Sequence, residues 1–124
     1  MMELTDTDRT AIRAVIERQL QAFQADDANT AFSFASPGIP GIQSQFGSPE
    51  QFMEMVKSSY LPVYRPRSVM FEGIINIEGR LAQRVIVMGA DGSLMSAYYM
   101  MEKQPDDGWR INGCILMPLE GQGI

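Results

Sequence analysis

The chain changes its hydrophobic period once, at Arg67, and that switch narrows the available folds more than any motif does. Before it, apolar residues recur at helical spacing. After it they come in four ribbons, "SVMFEGIINIEG", "RLAQRVIVMGADG", "SLMSAYYMMEKQPDDG" and "WRINGCILMP", separated by turns that contain glycine. Helices gathered first and strands gathered last predict an α+β fold, with helices on one face of an antiparallel sheet of about four strands.

Three helices are expected. Thr5 and Asp8 suit a helix entry, and Ile12, Val15, Ile16, Leu20 and Phe23 then fall on one stripe. A second, short helix carries Ala31, Phe32 and Phe34, is capped by Asp26 or Asp27, and ends at Pro37 and Gly38. The loop "GIPGIQSQFG", Gly38 to Gly47, has Ile39, Ile42 and Phe46 as its apolar content and is expected to fold inward. "SPEQ", Ser48 to Gln51, supplies a cap, a proline at the first helical position and a glutamine that suits a capping box. The third helix then carries Phe52, Val56 and Tyr60 on one face until Pro62 stops it.

The strands lack the clean apolar and polar alternation of a sheet with one wet face. Ile86 and Met88 alternate with Val85 and Val87, Tyr98 and Met100 with Tyr99 and Met101, and Ile74 is followed by Ile75. In "WRINGCIL" one parity reads Trp109, Ile111, Gly113, Ile115 and the other Arg110, Asn112, Cys114, Leu116; the first is expected to face the core. Gly113 in mid-strand suits a bend. A bent sheet roofed by three N-terminal helices predicts a cone-shaped, curved architecture. Its second apolar face needs a cover, and a homodimer through the sheet is expected.

The 124 residues fit a single domain, 1–124, with one core. Apolar residues make up 45% and charged residues 20%, a globular balance. No run is long enough for a membrane helix, and "MMELTDTDRT" lacks the basic start of a secretion signal, so a cytoplasmic location is expected. A net charge of −5 argues against a nucleic-acid partner. The one cysteine, Cys114, makes neither an internal disulfide nor a paired-cysteine metal motif, and its apolar neighbours suit a packed thiol. "LEGQGI" reads as a frayed tail.

The chain has no histidine. Imidazole-dependent triads and the usual zinc sites are excluded with it, and no metal or cofactor is expected. Proton transfer is left to carboxylate, tyrosine or lysine. A cone of this kind is lined by Phe23, Phe46, Phe52, Tyr60, Tyr64, Val85, Tyr98 and Trp109, a list that serves equally as a packed core. Tyr60 and Tyr64 stand out because a buried phenol needs a partner that a ligand can supply. Arg67, or Arg84 if it faces inward, suits an anionic group. The ligand-binding candidates are therefore Phe46, Tyr60, Tyr64, Arg67, Arg84, Tyr98 and Trp109, for a small apolar or anionic molecule.

The order of elements, with "AFQADDANTAFSFAS" and the closing "DGWRINGCIL", resembles the nuclear-transport-factor-2-like superfamily, which includes ketosteroid isomerases and SnoaL-like proteins. More narrowly, "SPEQFMEMV", "YLPVYRPRSV" and "EKQPDDGWRINGC" resemble a family of short bacterial proteins known as a domain of unknown function. The resemblance runs from about Ala11 to Pro118 and implies the fold. It carries over no catalytic carboxylate or tyrosine, because no motif here matches theirs.

Three functions fit these features. The first is a non-catalytic dimeric module that binds a small molecule or mediates assembly. The second is an isomerase- or dehydratase-type enzyme moving a proton beside a carbonyl, with Glu72, Glu54 or Asp26 as base and Tyr60, Tyr64 or Tyr98 as oxyanion donor. The third is a subunit whose apolar sheet face awaits a different chain.

Overall fold

The computed structural model describes residues 4–37, 41–106 and 108–119. Its elements run α1 (Asp6–Gln24), α2 (Ala28–Ser33), α3 (Ile42–Gln45), α4 (Pro49–Ser59) and α5 (Leu61–Tyr64), then β1 (Ser68–Ile77), β2 (Arg80–Met88), β3 (Leu94–Lys103) and β4 (Trp109–Pro118). The α+β order is the expected one. Gly38 and Ile39 of the expected loop, and the tail from Glu120, lie outside the described residues.

The strands form an antiparallel meander in the order β1-β2-β3-β4. The sheet is open rather than curled shut, and β1 and β4 are its two edges. Glu78 and Gly79, both at positive φ, make the two-residue turn that joins Ile77 to Arg80. Positive φ at both central residues matches the right-handed twist of a hairpin. The expected Asp-Gly turn closes β2 onto β3, with Asp91 Oδ1 accepting from Ser93 N (3.0 Å) and Ser93 Oγ (2.6 Å).

Five helices stand where three were expected. The two additions, α3 and α5, are single turns of four residues. One sits in the apolar loop, whose Ile42 and Phe46 pack against the core as expected. The other begins at Leu61: Pro62 opens a new helical turn instead of ending the old one, because proline's fixed φ is tolerated in a first turn. The break at Tyr60, with φ −130° and ψ 38°, separates it from α4.

The caps follow the chemistry of the sequence. Thr5 and Asp8 form a reciprocal box at α1, and Asp27 caps α2 by accepting from Thr30 N (3.2 Å). At α4, Ser48 accepts from Gln51 N, while the Gln51 side chain accepts from Gly47 N (2.8 Å) rather than from the cap residue itself. The second helix ends earlier than Pro37 because Phe34–Ser36 leaves it to bridge β4: Ile111 N donates to Phe34 O (2.8 Å) and Ser36 N to Ile111 O (2.9 Å).

The core lies between the helices and the inner sheet face. Ile12, Ile16, Leu20 and Phe23 of α1 and Phe52, Met53 and Val56 of α4 pack against Val85, Val87, Ala97, Tyr99, Met101, Trp109 and Ile111. Of the two readings of Phe23, Phe52, Val85 and Trp109, cone lining or packed core, the structure bears out the second. The inner face of β4 corrects the sequence parity. Met100 pairs with Gly113 but Met101 with Ile111, so Asn112 is an extra residue in a β-bulge. Beyond it the faces exchange: Cys114 and Leu116 pack inward, and Ile115 points out, 46% exposed. A second irregularity sets Glu72 and Gly73 against Arg84 between the pairs Phe71–Val85 and Ile74–Gln83.

Candidate functional surface and edge cavity

Because the inner face is full, the chemistry lies elsewhere. Register places three rows of side chains on the outer face: Met70, Ile86, Ser96, Met117; then the Glu72–Gly73 bulge, Arg84, Tyr98, Ile115; then Ile75, Ala82, Met100, Gly113. Met70 (59%), Met117 (48%), Ile115 (46%) and Ile75 (41%) are strongly exposed. Arg84 lies in the middle of this apolar field, facing outward rather than toward the core. Its Nη2 donates to Ser96 Oγ (3.1 Å), and its guanidinium stands 6.0 Å from the Tyr98 ring. Its Nε is buried and has no hydrogen-bond partner among the described residues. A groove of about 300 Å³ runs beside it, bounded by Ser96, Tyr98, Met117 and Pro118.

A cavity of about 350 Å³ opens where α3 and α4 meet the edge of β4. Its apolar wall includes Ile42, Phe46, Met55 and Ile115, and Gln45, Asn112 and Arg80 bring polar groups. The bulge shapes it: Ser36 Oγ donates to Asn112 Oδ1 (2.6 Å), pinning the extra residue to the helical half. Tyr60 also lines it, and its hydroxyl donates to the Cys114 carbonyl (3.0 Å), so a backbone group rather than a ligand satisfies this phenol. Burial raises the Tyr60 pKa and pushes the Cys114 thiol up to about 12, leaving the thiol protonated and unreactive.

Tyr64 sits apart from Tyr60. Its hydroxyl donates to the Asp26 carboxylate, which also meets Arg65 Nη2 (2.8 Å) and Lys57 Nζ (3.8 Å). Asp26 occupies the left-handed region (φ 54°) just past α1, which a short polar residue tolerates better than most. The Tyr64 hydrogen bond, with the two cations, holds Asp26 below the usual carboxylate range, and the same bond raises Tyr64. A second cavity, of about 370 Å³, lies beside this group between α5 and the turn at Gly89–Ser93.

The sequence candidates therefore separate. Phe46 and Tyr60 share the edge cavity, and Arg84 and Tyr98 share the outer face. Trp109 is core, with its indole N–H donating to Asp8 Oδ1 (3.4 Å). Arg67 is exposed in the connector, where its backbone N–H donates to Met88 O (2.8 Å). Glu54 and Glu72 are exposed, and neither hydrogen-bonds to a tyrosine among the described residues. Sequence reasoning missed Arg80, Gln45 and Asn112, which are brought together only by the bulge and the single-turn helix.

The model of a domain of unknown function, DUF4864, matches residues 5–124. The chain belongs to that family. None of the curated proteins and none of the solved structures compared with it matches significantly. Among the described residues, no helix is long and apolar enough to cross a membrane, and no group of three or more Cys, Asp or Glu side chains is placed to hold a metal ion.

Proposed function

We propose that this DUF4864 domain is a non-catalytic assembly module that pairs with a second copy of itself through the outer face of its sheet. The observation that carries the reading is the exposed apolar field around Arg84. Strands of 10, 9, 10 and 10 residues at ~3.3 Å per residue and ~4.8 Å spacing give a face of ~600 Å². Two such faces bury ~1,200 Å², the lower bound of a specific interface. Within that outline Met70, Ile75, Ile115 and Met117 are exposed apolar side chains, and contiguous apolar surface is usually covered by a partner.

The edge cavity gives the module a place for a small apolar molecule, with Arg80 at its rim suited to a carboxylate; Arg80 makes no ion pair among the described residues. The order of helices followed by a meander supports reading the chain as a distant member of the nuclear-transport-factor-2-like superfamily. Among the described residues the proton-transfer alternative has one hydrogen-bonded carboxylate–phenol pair, Asp26 and Tyr64. Two cations already neutralise that carboxylate, and its pKa is shifted down, opposite to the apolar-walled base such chemistry uses.

Sedimentation velocity from micromolar to hundreds of micromolar tests the pairing. A reversible dimer is expected, and Ile115→Lys should abolish it while leaving the fold intact. A wild-type chain that stays monomeric throughout ends the self-assembly reading. Native mass spectrometry of the purified dimer checks the cavity for a bound small molecule.

A further inference from the structure

Granting the pairing proposed above, we infer that its two-fold axis runs parallel to the strands, midway between β2 and β3. Such an axis turns each outer-face row over onto itself in reverse order. Ile75 then meets Gly113 of the partner subunit, and Met100 meets Ala82 of the partner subunit, all in one row. In the next row Ile115 meets the partner's Gly73, and Arg84 lies against the partner's Tyr98. In the third, Ile86 meets the partner's Ser96 and Met70 the partner's Met117. Two of these contacts, Ile75 on Gly113 and Ile115 on Gly73, set a large side chain on an open glycine position, the interdigitation that dense packing between sheets requires, while Ala82 and Ser96 are already buried within the subunit and form the floor under the partner's Met100 and Ile86.

The glycines offer real space. A Cβ built at Gly73 has no heavy atom within 4 Å, and one at Gly113 meets Met100 Cγ at 3.7 Å, an ordinary contact. Neither glycine is needed by the subunit for room or for positive φ; both lie at the β-bulges, and each leaves an open position that the partner's isoleucine fills under this axis.

The alternative axes fit worse. An in-plane axis perpendicular to the strands lays each strand on its own copy and places Arg84 against Arg84 of the partner subunit, two cations in an apolar interface. An axis between β1 and β2 covers half the sheet and leaves Ile115 and Met117 in water. The axis between β2 and β3 sets each guanidinium on a phenol ring, a contact that suits arginine's weakly hydrated planar cation.

Cross-linking reads the axis directly. Met70→Cys and Met117→Cys proteins are prepared separately and mixed, then treated with a bismaleimide whose reach matches the ~10 Å between stacked sheets. The proposed axis brings 70 over 117 and leaves 70 and 70, or 117 and 117, ~17 Å apart, three strand spacings across and one layer through. A covalent dimer is expected in the mixture and in neither protein alone. Cys114 does not compete, because its side chain packs inward against the core rather than onto the outer face.

Cross-linking of either single variant with itself overturns the axis while leaving the dimer standing, as does no cross-link in a mixture that sediments as a dimer. A monomer by sedimentation overturns the pairing itself. Independently, Gly113→Leu should weaken the dimer at least tenfold and Ile75→Ala should restore it in that background. Further weakening by Ile75→Ala also refutes the axis.

Discussion

Ile111 and Ile115 share a parity on β4, yet the bulge at Asn112 sends them to opposite faces, and alanine substitutions at the two sites should separate cleanly. Ile111 is buried against the helical core, and truncation there leaves a cavity costing about 2–5 kcal/mol. For 124 residues, an unfolding entropy of about 2.1 cal/mol/K per residue sums to about 0.26 kcal/mol/K. Ile111→Ala should therefore lower Tm by about 8–19 °C. Ile115, 46% exposed in the subunit, forfeits about 1 kcal/mol or less from its own fold, about 4 °C. Any further loss at Ile115 comes from the dimer and must shrink on dilution, because association stabilises by mass action. Thermal unfolding of both variants at two protein concentrations a hundredfold apart measures both terms. Equal, concentration-independent losses at the two positions would show that β4 keeps one face throughout, and the outer-face rows would be misassigned.

Two further outcomes follow from the polar ties. Asp26 has a folded pKa below its unfolded value of 3.8, so its contribution is present above that pH and is lost as pH falls through it toward the folded value. Tm should decline as pH drops below about 4, and Asp26→Asn should flatten that decline; an unchanged slope removes Asp26 as a contributor. Tyr60→Phe deletes the hydrogen bond to the Cys114 carbonyl and should cost about 1 kcal/mol with no change in fold. A neutral result in chemical denaturation shows the α4–β4 clasp to be idle.

Much of the architecture was legible because it rests on local rules. The α1 stripe, the Thr5 and Ser48 caps and the four strands declare themselves through period and capping chemistry, each readable within a few residues. Cys114 read correctly as a packed thiol from its neighbours. Face assignment failed past Asn112 because a bulge is a property of two strands: nothing in "RINGC" alone says that Met100 and Met101 will skip a residue. Arg84 could be placed only once the inner face was known. The Asp26–Tyr64 contact joins residues 38 apart in sequence, beyond any periodic signal. Tyr60 and Tyr64, four apart, were natural candidates for one site, and the break at Tyr60 sends their hydroxyls to different partners.

Both bulges fall on the outermost strands of the sheet, at Glu72–Gly73 in β1 and at Asn112 in β4. An interrupted ladder is a poor template for a strand from another molecule, and along β4 the Phe34–Ser36 segment occupies the position beside the interruption. Lateral growth into fibrils is thus discouraged at both ends of the sheet, while its broad flank stays available. Under the proposed pairing, the apolar surface that remains is one that closes after two copies instead of propagating from chain to chain.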